Sequence, residues 1–287
     1  MKRKLLTLII MGVLIFSLIA KDSQEAKTAK VFYDNKDYDN AIDWYKKAVE
    51  KDENNSDLYL WLAKSYLADI NNVNFMSKGL YSSKIKKYLK LSIKKDTKNI
   101  DAIYYLASFY FNAPYIAGGD KDKAWELTEK VAKLSPVKGH EIKAQFYSQE
   151  KEYGKAFAEY DELIKLDPNN AHTYYSIGIM HQQTKDYDKA LSNFEKALSI
   201  DPKALESLYQ VGRNAVFSKK SLDKGIEALT EYLKYKPEHP LPSLDGAYWR
   251  LAQIYQLKGD KNKAKESIAK AIKINPDDEY KKLLKEL

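Results

Sequence analysis

The sequence predicts an all-α solenoid of about seven helix-turn-helix units, closed by a C-terminal capping helix. Three observations predict it. A small residue recurs at Ala29, Ala63, Ala107, Ala144, Gly178, Gly212 and Ala252, in steps of 34, 44, 37, 34, 34 and 40 residues. A period in this range is the mark of stacked helical repeats. Proline closes five of the units, at Pro136, Pro168, Pro202, Pro237 and Pro276, where it cannot continue a helix interior. Finally, 11 glycines and 8 prolines in 287 residues suit long helices better than many short strands.

The elements follow in order. Lys2, Arg3 and Lys4 precede the apolar stretch Leu5–Ile19, and the polar run Lys21–Glu25 follows. Residues 1–20 therefore read as a signal peptide, because the apolar core is shorter than the roughly 20 residues of a spanning helix. Ala20 is the candidate cleavage residue. Leu18 stands where a small residue is usual, so an uncleaved membrane anchor is the alternative. Either way the chain is expected to be exported, to a periplasm or to the outside.

From 22 to 276 each unit reads as two helices of about a dozen residues with apolar side chains at helical spacing. A second small position falls at Ala41, Ala124, Ala156, Ala190, Gly225 and Ala264, with Ile85 standing in for the second unit. Small residues let the two helices approach, and Tyr45, Tyr160 and Phe194 fill the space beside them. Thr184–Tyr187 and Lys258–Asp260 are hairpin turns. Glu53 and Thr97 take the place of proline in the first two units. The second unit is too long around 69–82, where weak periodicity between Val73 and Tyr81 predicts a loop with a short extra helix. The third carries an insertion over 111–123, and the connection 238–246 is extended. Residues 277–287, with Tyr280, Leu283 and Leu284, read as the cap.

Composition excludes several classes. At 44% hydrophobic and 31% charged the chain is neither disordered nor a multi-span membrane protein. The absence of cysteine excludes disulfides, thiolate zinc sites, thiol nucleophiles and a lipidated cysteine. The net charge of +8 is partly leader, and the rest lies in mixed-sign runs such as Asp120–Lys123, which argues against nucleic-acid binding.

No catalytic constellation is present. His140-Glu141 begins like a zincin helix, but Ala144 stands where the second histidine is needed. His172 and His181 are nine residues apart, so at about 100° per residue they face opposite sides of a helix. His181 reads as a packed residue. Gly118-Gly119-Asp120 lacks the strand and the Lys-Ser/Thr of a phosphate loop, and reads as a turn with Asp120 capping a helix from Lys121. Asn54-Asn55-Ser56 is a glycosylation sequon, but the Lys-, Asn- and Tyr-rich composition looks bacterial. No catalytic residue, metal or cofactor is assigned.

Tyr174-x2-Ile177-Gly178-x2-His181, Ala190-x3-Phe194, Ala197 and Pro202 form one full pattern. Tyr248-x2-Leu251-Ala252-x2-Tyr255, Ala264-x3-Ile268, Ala271 and Pro276 form another. Both resemble the tetratricopeptide repeat family. The resemblance implies a right-handed superhelix whose concave face is lined by the first helix of each pair. It places Tyr33, Lys64, Tyr104, Phe111, Gln145, His172, Tyr175, Gln182, Tyr209, Arg213, Phe217, Trp249 and Gln253 on that face. Such a set of aromatics, amides and two basic groups suits a protein or extended peptide partner. The expected role is a non-catalytic scaffold in assembly of an envelope or secreted complex. The basic-asparagine clamp of chaperone-binding relatives is not reproduced. An alternative remains. Ala113–Ala124 and Gly212–Gly225 are similar to segments of periplasmic relatives that accompany TRAP-type solute transporters, which implies a homo-oligomer enclosing a small hydrophobic ligand.

Overall fold

The structure, a computed structural model, describes residues 23–235, 237 and 241–287. The expected signal peptide lies outside the described residues, as does the centre of the 238–246 connection. Fifteen α-helices and no strand occur among the described residues. They are α1 (Gln24–Asp34), α2 (Tyr38–Lys51), α3 (Ser56–Asp69), α4 (Phe75–Lys95), α5 (Ile100–Asn112), α6 (Lys121–Leu134), α7 (Pro136–Gln149) and α8 (Tyr153–Leu166). Then follow α9 (Ala171–Gln183), α10 (Tyr187–Ile200), α11 (Leu205–Ser218), α12 (Leu222–Tyr232), α13 (Leu244–Leu257), α14 (Lys261–Ile274) and α15 (Asp278–Glu286).

The chain divides into two compact units, one ending at Ile142 and one beginning at Lys143. In the first, α1–α2, α3–α4 and α5–α6 are antiparallel hairpins, and α2 packs on α3 and α4 on α5. In the second, α9–α10, α11–α12 and α13–α14 are the hairpins, α8 packs on α9, and α15 packs on α14. Each helix buries one stripe against neighbours in sequence, so each unit is an α-solenoid stack rather than a layered core.

The recurring small residues do what their spacing predicts. Ala29, Ala63, Ala107 and Ala144, like Ala41, Ala124, Ala156, Ala190, Ala252 and Ala264, are essentially without exposed surface. Gly178, Gly212 and Gly225 are buried too. Helix starts are set by short polar side chains, which satisfy backbone N–H groups that a first turn leaves without partners. Asp37 accepts from Asn40 N, Asn99 from Ala102 N, Asp186 from Lys189 N and Asp260 from Lys263 N. The residue before three of these acidic starts, and before Glu152, has positive φ: Lys36, Lys151, Lys185 and Gly259. One turn geometry thus joins four pairs of consecutive helices.

The insertions differ from expectation in one place. Val73–Tyr81 is helix from Phe75 onward, and α4 runs unbroken for 21 residues. Asn74 supplies a cap to Ser77 N, which lets the helix start two turns before its inward stripe of Ser82, Ile85, Leu89 and Ser92 begins. The weak periodicity reflects these unpacked turns, not a loop. In the third unit Tyr115–Ala117 form a 3₁₀ turn. Asp120 N then donates to Tyr110 O, and Asp120 caps α6 through Lys123 N, as the sequence predicts. After Pro240 the connection is short, because α13 already begins at Leu244.

Gly118 has φ +90°, and a Cβ on Gly119 would stand 1.8 Å from the Ala113 carbonyl oxygen. Backbone cannot yield as a side-chain tip can. Gly119→Ala is therefore expected to cost more than about 1 kcal/mol, read as a lower urea midpoint at unchanged slope. A variant as stable as the parent would show that the turn is not held as described.

Candidate functional site

In the first unit the first helices of successive hairpins carry aromatic rings separated by lysines. Tyr33 of α1 meets Trp61 of α3 edge-on at 5.3 Å. Lys64 lies over Trp61 at 3.8 Å and over Tyr105 of α5 at 5.2 Å. Tyr104 adjoins Tyr105 at 5.2 Å, and Lys138 of α7 lies 5.2 Å over Tyr104 while donating to Glu141 at 2.9 Å. Burial pulls the Lys64 ammonium pKa down and pushes the phenols of Tyr33 and Tyr105 up. At neutral pH the ladder is neutral rings alternating with cations, a favourable cation–π arrangement. At its start a cleft of about 820 Å³ opens between Lys30, Asn54, Asn55 and Trp61.

In the second unit Arg213 of α11 and Arg250 of α13 converge on one ring. Their guanidinium carbons lie 4.9 and 5.5 Å from the centroid of Phe217, whose residue is 40% exposed. Arg250 also stacks on Trp249 at 4.2 Å, and Trp249 leans on Tyr280 at 5.5 Å. Gln210 accepts from Arg213 and Gln253 from Arg250, at 3.4 and 2.9 Å. Neither arginine forms an ion pair with any described carboxylate, and the Nε of Arg250 is buried without an acceptor. Tyr175 of α9 adjoins this face. Its phenol pKa is raised by burial and by Glu206, and is drawn back by Gln210 and Arg213. His172 stacks on Tyr175 at 5.7 Å.

Two residues expected on the binding face are not on it. Phe111 is buried against Trp125 of α6, edge-on at 6.4 Å. Tyr209 is buried with its ring 5.6 Å from Tyr232 of α12. Both point into their own hairpins, although Tyr33 holds the same register as Phe111, and Trp249 the same register as Tyr209, relative to the small residue of the repeat. Gln182 bridges Gln210 O and Asn214 Oδ1, both at 3.4 Å. Gln145 of α7 and His172 are exposed. His181 packs on Phe157 of α8 at 4.6 Å, and burial lowers its pKa so that it stays neutral. No cluster of three metal-ligating side chains occurs among the described residues.

Trp61, Tyr105 and Arg250 are central to these faces and do not stand out by sequence type. Their signal is the register. Trp61, Tyr105, Gln210 and Arg250 each lie two residues before the small residue of their unit, Ala63, Ala107, Gly212 and Ala252. One helical phase therefore supplies the same face four times.

Repeated helical hairpins with small residues at every crossing define a helical-repeat protein. Sequence profiles described as "TPR repeat" match 29–69, and profiles described as "Tetratricopeptide repeat" match 139–170, 171–204 and 245–278. The chain belongs to the tetratricopeptide repeat family. No match was found among curated proteins. Among solved structures it is similar to a tetratricopeptide repeat protein of Parabacteroides merdae, with TM-score 0.54, 17% identity, and 91% of this chain and 96% of that one covered. PilF of Pseudomonas aeruginosa gives TM-score 0.56 at 16% identity, covering 83% and 100%. Human IFIT1, solved as a dimer with m7Gppp-AAAA, gives 0.60 at 18%, and the match spans 87% of this chain but 58% of that one. At these identities the likeness is one of fold.

Proposed function

We propose that this chain is an exported, non-catalytic scaffold that holds an extended segment of a partner protein on its first-helix faces and so helps assemble an envelope or secreted complex. The observation that carries this reading is the pair Arg213 and Arg250. The chain has 45 lysines and three arginines, and two of the three lie over one exposed phenylalanine without an ion pair to any described carboxylate. Each guanidinium lies over the ring, gives one N–H to a glutamine and keeps further donors for a carboxylate. Exposed Phe217 beside them offers apolar contact, the mixture typical of binding hot spots. The expected segment therefore bears a carboxylate next to an apolar or aromatic side chain. Export rests on the leader-like residues 1–20.

The test is a photo-crosslinker in place of Phe217, used in the native host. A recurrent protein adduct is expected, and Arg213→Ala/Arg250→Ala is expected to weaken it at least about tenfold, as loss of hydrogen bonds to a charged group implies. A small-molecule adduct on a homo-oligomer would overturn this reading in favour of the ligand-accessory alternative.

A further inference from the structure

Helix α4 departs from the rest of the molecule in charge. Other helices pair some of their lysines with acids three or four residues away, as in Lys30–Asp34, Lys165–Glu162, Lys189–Asp186 and Lys270–Glu266. The 21 residues of α4 contain seven lysines and no acid. None of the seven forms an ion pair with any described residue. Lys87 lies 5.5 Å over the Tyr88 ring, and Lys95 donates to Asn54 Oδ1 at 3.0 Å.

The solvent-facing side of this helix has two parts. Met76, Leu80, Ser83, Lys87, Lys90 and Lys94 follow at alternating steps of four and three, and all are exposed, so they form one stripe opposite the buried Ser82–Ile85–Leu89–Ser92 face. Its first two turns are apolar and stand in water: Phe75 is 89%, Met76 88% and Leu80 59% exposed. Its remainder is basic. The 3₁₀ turn of the third unit packs on α4, and there Tyr115 and Ile116 are 92% and 96% exposed. Both features come from the two insertions that lengthen the second and third repeats. Nothing in the 34-residue repeat requires either.

We infer that this surface, α4 together with the Tyr115–Ala117 turn, docks on an anionic phospholipid bilayer. Its chemistry matches that target on both counts. Unpaired lysines are attracted to acidic headgroups, each contributing to a binding energy that adds along the stripe. Phe, Met, Leu, Tyr and Ile side chains held out in water gain by entering the boundary between headgroups and acyl chains. A nucleic-acid backbone would satisfy the lysines and leave the aliphatic tips in water. With seven charges α4 cannot span a bilayer, and no described helix is long and apolar enough to do so. The helix lies on the surface.

The chain has no cysteine, so single sites can be labelled in the full-length protein with an environment-sensitive nitrobenzoxadiazole dye: Met76→Cys, Ile116→Cys and, as a remote control, Lys261→Cys. Each is titrated with phosphatidylglycerol or phosphatidylcholine vesicles. The dye at 76 and 116 is expected to brighten and shift to the blue on phosphatidylglycerol, with binding at least about tenfold weaker on phosphatidylcholine and the control silent. Lys87→Ala/Lys90→Ala/Lys94→Ala is expected to reduce partitioning more than about tenfold, with the far-ultraviolet circular dichroism unchanged because the replaced side chains are exposed. Vesicles that capture the protein while dyes at 76 and 116 stay silent would assign the attachment to the N-terminal segment and overturn the inference. Equal response to both lipids would overturn it as well. So would a response at 76 to duplex DNA or to an acidic protein in place of vesicles.

Discussion

Phe194→Ala is expected to destabilise the chain by about 3–5 kcal/mol, the cost of removing a fully buried aromatic ring from a packed site. The ring has no exposed surface and joins Ala190, Leu208 and Val211 in the main hydrophobic cluster of the second unit. It fits only because residue 178 has no side chain. A Cβ on Gly178 would stand 2.5–3.0 Å from three of its atoms. Gly178→Ala alone is therefore expected to cost about 1–3 kcal/mol by overpacking. The double variant Gly178→Ala/Phe194→Leu is expected to be more stable than the sum of the single changes, because the shortened side chain leaves room for the added methyl. Stacked repeats transmit stability to their neighbours only. Hydrogen exchange should thus rise first in α9, α10 and α11. Strict additivity, or a Phe194→Ala cost below about 1 kcal/mol, would show that this crossing is not close-packed.

Asp245→Ala is expected to cost about 3 kcal/mol, since it leaves buried donors without the charged acceptor they share. Asp245 is buried in the first turn of α13, where Tyr280 OH donates to it at 3.0 Å and Asn275 Nδ2 at 3.2 Å. These bonds latch α15 to the preceding hairpin. Burial by itself pushes this carboxyl pKa up. Hydrogen bonds from Ser243, Asn275 and Tyr280 outweigh it and leave the group below its ordinary 3.8. The phenol of Tyr280 is pushed up by burial and by the Asp245 charge beside it. Because the folded-state pKa of Asp245 is the lower one, its stabilisation is complete above the unfolded value. It is lost as pH falls from there through the folded value. Protection of α15 amides should fall on acidification below about pH 4 in the parent and be low at every pH in Asp245→Ala. Unchanged protection in the variant would mean that Leu283 and the Tyr280 ring hold the helix without the latch.

The hairpins were legible because their cause is steric and recurs. Ala or Gly stands at nearly every crossing, with Ile85 the exception, and each of these positions from Ala29 to Ala264 is buried as its register predicts. Turn chemistry was legible for a local reason: Asp120 and Asp186 cap through backbone groups three residues away. The binding faces were legible only in part. Periodicity states that a residue lies on a helix but leaves its phase uncertain by about one position. One position is 100°, and even an identical register does not fix orientation: Phe111 shares that of Tyr33, and Tyr209 that of Trp249, yet only Phe111 and Tyr209 turn into their hairpins. Weak periodicity over Val73–Tyr81 points to a loop with a short extra helix because no buried stripe supports those turns. Capping by Asn74 and continuity with the packed half of α4 hold them helical.

By itself, then, the sequence determined the fold class and the family, which follow from contacts a few residues apart and from a repeated packing rule. Tertiary structure alone decided that two distant arginines share one phenylalanine. It also decided that the lysines of α4 form no ion pair with any described residue. Both depend on which side chains of separate helices arrive at the same place, and the spacing within one helix carries no information about that.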